Sequence, residues 1–466
     1  MKKYRIEEDS LGAKAVPLKA YYGIETLRAV ENFPVSGLRV HPELITALAL
    51  IKKACARANL SLKKLDKRRG AAIVRACDEI LAGKFGDQFL TDAFHSGAGV
   101  SLHMNANEVI ANRALEILGR KKGHDAFVDP HDHVNMGQST NDVIPAAIRL
   151  AALTLLKSFY ASAGELQQAF EEKSREFRKV VKSGRTHLQD AAPVTLGQEF
   201  GGWARQIQKG RERIERLAQN LLELGIGGSA VGTGLNTTLA YRRTVISNLK
   251  KLAGLPLKSA RNLFEVMQSD ADLAAVSGGL RDYALCFIQI SGDLRLLSSG
   301  PRTGLAEINL PPRQPGSSIM PGKVNPVMPE VASQAAFQVI GNDAAIAFAA
   351  ASGQLELNVM RPVIAHNLLQ SIKLLKNAGR LLSDFCIRGI TANPARCRDY
   401  AELSYGIAAA LNPVIGYAKA AKCVQESIKT GKSLREILRE KHLLTPARID
   451  RILSAENLTH PRASQR

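Results

Sequence analysis

The chain is poor in aromatic residues: Phe, Tyr and Trp make up 5% of its 466 residues, with one tryptophan, Trp203. Nor does any stretch interleave aromatic with basic side chains, as a platform that stacks single-stranded bases requires. Cysteine is sparse. The six, Cys55, Cys77, Cys286, Cys386, Cys397 and Cys423, include no CxxC pair, so a zinc or dithiol redox motif has no support. Cys55 falls on an apolar helical face, where it reads as a small core hydrophobe. Runs of 18 or more apolar residues are missing; the nearest, 344–351, is short and follows Asn342 and Asp343. The N-terminal MKKYRIEEDS has two lysines but no apolar segment behind them, which argues against a secretory signal. A cytoplasmic protein with reduced thiols is expected. Gly (37) and Pro (19) stay near average usage, which excludes a collagen-like or low-complexity chain.

Positive charge is in excess. Lys and Arg number 63 against 43 Asp and Glu, a formal net charge of +20. Such a balance invites a nucleic-acid reading. Its distribution weakens that reading. Basic residues outnumber acidic ones 21 to 16 in 1–140, 29 to 20 in 141–395 and 13 to 7 in 396–466. The excess is spread, and the densest runs (Lys63-Lys64, Lys67-Arg68-Arg69, Arg120-Lys121-Lys122) are short enough to be solvated helix faces or loops. No nucleic-acid or membrane partner is expected.

Helical periodicity dominates. Pro42 and Glu43 open a segment whose apolar residues Leu44, Leu48, Ile51 and Cys55 recur at three and four; Pro in the first helical turn leaves no hydrogen bond unmade. Leu156, Phe159, Ala163, Leu166 and Phe170 form a seam of the same spacing. So do Phe200, Trp203, Ile207, Gly210, Ile214, Leu217 and Leu221. Residues 331–351 are Ala-rich and apolar on most faces, which predicts a helix buried all round, and 362–390 is amphipathic. No credible run of alternating strands appears beyond short pieces. The expected fold is all-α: an N-terminal helical domain (1–140), a central helical bundle (141–395) and a small C-terminal helical domain (396–466). Helices this long commonly need partner subunits to cover their apolar faces.

Four polar, glycine-containing segments stand near predicted helix ends. Pro315–Pro326, PGSSIMPGKVNP, holds two hydroxyls, a cation and an amide in a loop that its prolines and glycines keep from being helical. Composition alone would allow a surface linker. Gly137–Asp142, GQSTND, supplies helix-capping residues, and a capped helix N-terminus can also bind an anion. Ser183–Asp190, SGRTHLQD, contains a lone histidine, more often a structural residue than a catalyst. Ser96–Asn105, SGAGVSLHMN, has small residues that permit close backbone approach to a ligand. None has metal-ligand spacing, a P-loop or a dinucleotide fingerprint. Together they suit a small, polar, anionic ligand held by hydrogen bonds.

These segments also carry a resemblance. GSSIMPGKVNP resembles the signature of the fumarase/aspartase superfamily. GAGVSLHMNANEVIANRALEILG, HVNMGQSTND and GRTHLQDA precede it in that family's order. The likeness runs from Arg5 to about residue 460. RIEEDSLG, AYYGIETLRAVENFP and KTGKSLREILREKHLLT lean toward the aspartate ammonia-lyase branch, with the fumarate hydratases as the neighbouring alternative. The resemblance implies an all-helical, three-domain subunit with a central bundle of long helices, assembled as a homotetramer whose active sites are shared between subunits. It implies a small dicarboxylate or amino-acid substrate and no required cofactor; no residue pattern marks a divalent metal activator.

By motif position it implies that Ser317 takes the Cβ proton, acting with His187. Ser139, Thr140 and Ser318 would grip the β-carboxylate, and Lys323 and Asn325 the α-carboxylate. Asn141, Thr186 and His187 would lie near the amino group, and Glu330 would partner the histidine. Three positions depart from the family pattern. Val100 replaces the usual Thr, which removes a hydroxyl from the β-carboxylate pocket; His103 replaces the usual Asn; and Arg361 stands where aspartases tend to have Glu. They point to a related lyase with altered substrate as a further alternative.

Overall fold

The computed structural model describes residues 3–460 apart from Ser96, His124 and Asp125. Ser96, the first residue of one candidate segment, thus lies outside the described residues. A hairpin (β1 Tyr4–Asp9, β2 Gly12–Pro17) leads into α1 (Ile24–Asn32), α2 (Pro42–Ser61), α3 (Lys67–Leu81) and α4 (Val100–Ile117). After α5 (Thr140–Glu176) comes a second hairpin, β3 (Val181–Thr186) and β4 (Gln189–Thr195). The helices α6 (Leu196–Ala218), α7 (Leu239–Ala253), α8 (Leu263–Gln268), α9 (Ala271–Leu297), α10 (Val327–Ala351) and α11 (Arg361–Phe385) follow. Shorter helices complete the fold: α12 (Pro394–Leu403), α13 (Asn412–Ile415), α14 (Tyr417–Thr430), α15 (Leu434–Glu440), α16 (Pro446–Ile452) and α17 (Ala455–Thr459). Helix makes up 64% of the chain, and strands of the described residues pair only two at a time, so the fold is all-α with a bundle of long helices, as the sequence predicts.

Contacts divide the chain into two units. The first gathers Met1–Tyr160, Arg211–Ala284 and Ala336–Lys376; the second gathers Ala161–Gly210, Leu285–Ala335 and Asn377–Arg466. In the first unit α2 starts with proline in its first turn and packs on α3, α4 and α7. Its seam of Leu44, Leu48, Ile51 and Cys55 is buried, each larger side chain contributing about 1.5–3 kcal/mol by leaving water. Burial pushes the Cys55 thiol up to about 12, which leaves it protonated and inert. In the second unit Phe170, Phe177, Phe200 and Trp203 pack ring against ring at centroid distances of 4.8–6.1 Å, joining the two predicted seams. The α5 helix is long and apolar enough to cross a membrane, but most of that stretch is buried, as in the core helix of a globular protein.

One expectation fails within the single chain. The composition of 331–351 predicts burial on every side, yet α10 leaves Val331, Phe337 and Phe348 open, Phe348 at 79% exposure. Composition says that a helix is apolar; it does not say that its own chain supplies a neighbour for each face.

His41, at the head of α2, gives a pH prediction. Its Nε2 meets the His366 carbonyl at 3.1 Å, and Lys373 Nζ lies 3.3 Å from its Nδ1. Burial and then the Lys373 charge push its pKa down to about 4. Between pH 6.5 and 4 the unfolded chain therefore binds a proton at this position that the folded chain refuses, and folding stability is lost on acidification. His41→Gln is expected to flatten the stability–pH slope across that window in denaturant melts; an unchanged slope would contradict it.

Candidate functional site

The loop 315–326 belongs to the second unit and precedes α10. Its ends are drawn together: the Gly316 N–H donates to the Lys323 carbonyl at 2.8 Å, and Asn325 Nδ2 donates to the Gly316 carbonyl at 2.7 Å. A Cβ on Gly316 would sit 2.4 Å from the Lys323 oxygen, so only glycine permits this closure. Ser317 lies inside it. Its Oγ accepts the N–H groups of Ile319 at 3.2 Å and Met320 at 3.0 Å. Hydrogen bonds to an oxygen favour its charged form, which is what a serine hydroxyl needs to serve as a base. Ser318 and Lys323 are exposed on the same loop. Asn325 commits one amide hydrogen to loop closure, leaving its second hydrogen and its oxygen for a ligand.

Thr186 and His187 occupy the tip of the second hairpin, where Thr186 pairs with Gln189 across the turn. His187 (φ +56°) and Leu188 (φ +59°) are both left-handed, as a two-residue turn of the primed type requires. Non-glycine residues there cost about 1–3 kcal/mol each and persist only when their surroundings over-determine them. A buried ion cluster in the same unit anchors the strand that leads into this turn. Lys182 Nζ lies 2.7 Å from Glu199 and 3.2 Å from Glu307, and Arg185 lies 2.9 Å from Glu307. Glu307 and Lys182 are almost wholly excluded from solvent. The cluster grips β3 just below the tip, which leaves Thr186 and His187 exposed.

Glu330, in the first turn of α10, has its carboxylate 4.0 Å from the Arg295 guanidinium. No hydrogen bond or ion pair joins it to His187, so the pairing implied by the resemblance is not formed within this chain. The outward-turned hairpin tip accounts for the imidazole's exposure, and the helix N-terminus suits the carboxylate where it stands.

In the first unit Ser139 caps α5. Its Oγ accepts the Asn141 N–H at 3.2 Å, and its own N–H donates to Asp142 Oδ1 at 3.0 Å. Asp142 Oδ2 takes the N–H groups of Gly227 and Ser229 at 3.0 and 3.1 Å, and Asn141 Nδ2 donates to the Ala230 carbonyl at 2.8 Å. This buried carboxylate ties the start of α5 to the loop after 226; burial pushes its pKa up to about 6 against those three donors. Thr140 Oγ1 lies 2.7 Å from His103 Nδ1, and His103 Nε2 lies 2.6 Å from Lys52 Nζ.

Val100 begins α4 after Gly99, whose φ is +100°. It is 40% exposed and, with Ser101, Met104 and Glu108, lines a cleft of about 630 Å³. Arg361 is not open to a ligand. Fully buried, it reaches Asp270 at 3.3 Å and the Met267 carbonyl, so it fastens the start of α11 to the segment before α9.

The candidate residues thus fall into two groups. Ser139, Thr140 and Asn141 lie in the first unit; Thr186, His187, Ser317, Ser318, Lys323, Asn325 and Glu330 lie in the second. Sequence reasoning missed Lys52, Asp142 and the cluster of Lys182, Arg185, Glu199 and Glu307. For Lys52 there was a signal: it falls between Leu48 and Cys55 on the apolar face of α2, where a cation must find buried partners. Among the described residues, no group of three or more His, Cys, Asp and Glu side chains gathers as a metal cluster.

Comparison with known proteins places these parts in a context. The family profile described as lyase matches residues 12–341, and the fumarase C C-terminus profile matches 407–460. The chain is 50% identical to an aspartate ammonia-lyase of Bacillus subtilis over 460 residues, covering 99% of this chain and 97% of that one. It is 49% identical to an aspartate ammonia-lyase of Pseudomonas fluorescens, covering 98% and 97%. Among solved structures, a fumarate lyase:delta crystallin from Brucella melitensis, bound to cobalt, superposes with a TM-score of 0.96 at 47% identity, covering 98% of this chain and all of that one. A class II fumarase from Schistosoma mansoni gives 0.93 at 36% identity, with 97% and 98% covered.

Proposed function

The chain belongs to the fumarase/aspartase lyase family, and on that premise we propose that it is an aspartate ammonia-lyase, which removes ammonia from L-aspartate to give fumarate. The observation that carries the chemistry is the pair of backbone N–H groups on Ser317 Oγ. As an alkoxide, Ser317 takes a proton from Cβ, and the electron pair of that C–H bond moves onto the β-carboxylate to give an aci-carboxylate. That pair then forms the carbon–carbon double bond as the C–N bond breaks and the amine leaves as ammonia. Charge builds up on the β-carboxylate, so donors aimed there lower the barrier, by about 3 kcal/mol for each one whose loss is felt. Ser139, Thr140 and Ser318 fill that role, Lys323 and Asn325 hold the α-carboxylate, and Asn141, Thr186 and His187 face the amino group. Glu330 sets the state of the histidine once the assembled site brings the two together.

A cytoplasmic homotetramer with sites shared between subunits belongs to the same proposal, as do the boundaries near 140 and 395. The open apolar side chains of α10 support the assembly, since a partner subunit would cover them. No cofactor is required in this scheme, and any divalent metal acts as an activator outside it.

The test is direct. The purified protein is incubated with L-aspartate at alkaline pH, and fumarate is followed by its ultraviolet absorbance; no signal at high substrate sinks the proposal. L-Malate in the same assay identifies a hydratase instead. Val100 favours a third outcome, a lyase with a weakened β-carboxylate grip, because its methyl groups line an open cleft where the family resemblance implies a hydroxyl. Val100→Thr is expected to raise kcat/KM for aspartate by roughly tenfold. An unchanged or lower value would show that the pocket does not need that hydroxyl.

A further inference from the structure

We propose that His103 is a positioning residue: through a buried Lys52–His103–Thr140 relay it turns the Thr140 hydroxyl hydrogen outward, toward a bound carboxylate. Its catalytic consequence rests on the ammonia-lyase reading; its proton assignment does not.

Neighbours set the direction of each hydrogen bond in turn. Asn135 Nδ2 donates to the Gln138 carbonyl at 3.3 Å, so its Oδ1 is the atom facing Lys52 Nζ, at 2.9 Å. An amide oxygen only accepts, so Lys52 donates to it. The same Nζ lies 2.6 Å from His103 Nε2. Burial pushes Lys52 down to about 7. As the ammonium, its form below about pH 7, it has three N–H donors and no acceptor, so it donates to Asn135 Oδ1 and to Nε2. His103 is 1% exposed, and burial together with the Lys52 charge holds its pKa well below the ordinary value, so the ring is neutral and carries one proton. With Nε2 accepting, that proton is on Nδ1, and Nδ1–H donates to Thr140 Oγ1 at 2.7 Å.

Thr140 Oγ1 is thereby occupied as an acceptor on its inner side, and among the described residues its hydroxyl has no other hydrogen bond. Its own hydrogen is left to point away from the ring. Thr140 is also the first residue of α5, where the helix dipole favours an anion. A carboxylate arriving there meets a hydroxyl already aligned to donate. The opposite tautomer would draw the hydroxyl hydrogen into the ring and present an oxygen lone pair to the anion, which repels it. This arrangement gives His103 a purpose that asparagine could fill only in part: asparagine can donate from near the Nδ1 position but is too short to reach Lys52.

Two measurements test the relay. Nitrogen-15 NMR of histidine-labelled protein, with His103→Asn used to assign the peak, is expected to show Nδ1 protonated and Nε2 bare. A protonated Nε2, or a doubly protonated ring, overturns the proposal. The second measurement compares two variants by kcat/KM for L-aspartate. His103→Asn retains a donor to Thr140, whereas His103→Gln reaches Lys52 but leaves Thr140 without one. His103→Asn is expected to stay within about threefold of the parent and His103→Gln to fall by about tenfold or more, the size of one hydrogen bond to a charged group. Equal losses in the two variants, or a better-preserved His103→Gln, would mean that the residue only fills space. A parent protein inactive on aspartate would defeat the ammonia-lyase proposal, and the NMR experiment would still decide the proton's position.

Discussion

Ser317→Ala is expected to lower kcat for L-aspartate by about a thousandfold, with KM changed little and the fold intact by circular dichroism. A thousandfold corresponds to about 4 kcal/mol of barrier. That is the weight of proton abstraction itself, because alanine leaves the loop closure at Gly316, Lys323 and Asn325 untouched. The two N–H groups that Ser317 Oγ accepts would turn to water, so a stability change beyond about 1 kcal/mol is not expected. Steady-state kinetics by fumarate absorbance checks this, with Ser318→Ala as the comparison. Ser318 is a β-carboxylate donor in the proposed mechanism, and its loss should cost nearer a hundredfold. A Ser317→Ala enzyme that kept a tenth of its activity would mean that another group takes the proton.

The largest stability effect is expected from Glu307→Ala. Glu307 is buried and holds both Lys182 and Arg185. Removing one partner of a buried ion pair leaves an uncompensated charge and costs about 3–5 kcal/mol. At about 2–4 °C per kcal/mol for a domain of a few hundred residues, melting should fall by roughly ten degrees in calorimetry. Glu307→Gln, which keeps the shape and one acceptor, should lose less. Activity should suffer beyond the loss of stability, because the cluster anchors the strand that leads into the left-handed turn at His187 and Leu188. If Glu307→Ala melts within a degree or two of the parent, water has replaced the carboxylate and the cluster does not hold the hairpin.

Much of this could be read from the residues. The loop 315–326 and the cap at Ser139 were legible because their chemistry lies in contiguous strings, and Pro, Gly, Ser and Asn act locally on the backbone. The seams through Leu156 and Phe200 were legible because burial follows the helical period. The hairpin was not. Its turn carries His and Leu instead of the Asn-Gly or Asp-Gly that mark such turns, and what holds it is Glu307, more than a hundred residues away in sequence. Lys52 was hidden for a similar reason: its partners come from α4 and from the turn before α5, and no local window contains them. Arg361 looked like a change at the site and is instead a buried fastening, because the motif gives its position and not the side chain's direction.

The closure of the signature loop has a mechanical consequence. Gly316 is hydrogen-bonded to Lys323 and Asn325, so the residues between them form a ring that cannot lengthen without breaking those bonds. Ser317, Ser318 and Lys323 ride on that ring as cargo on a single raft. Whatever displaces it carries the proposed base, the proposed carboxylate donor and the cation by the same step, so on that mechanism they reach or leave a substrate in unison.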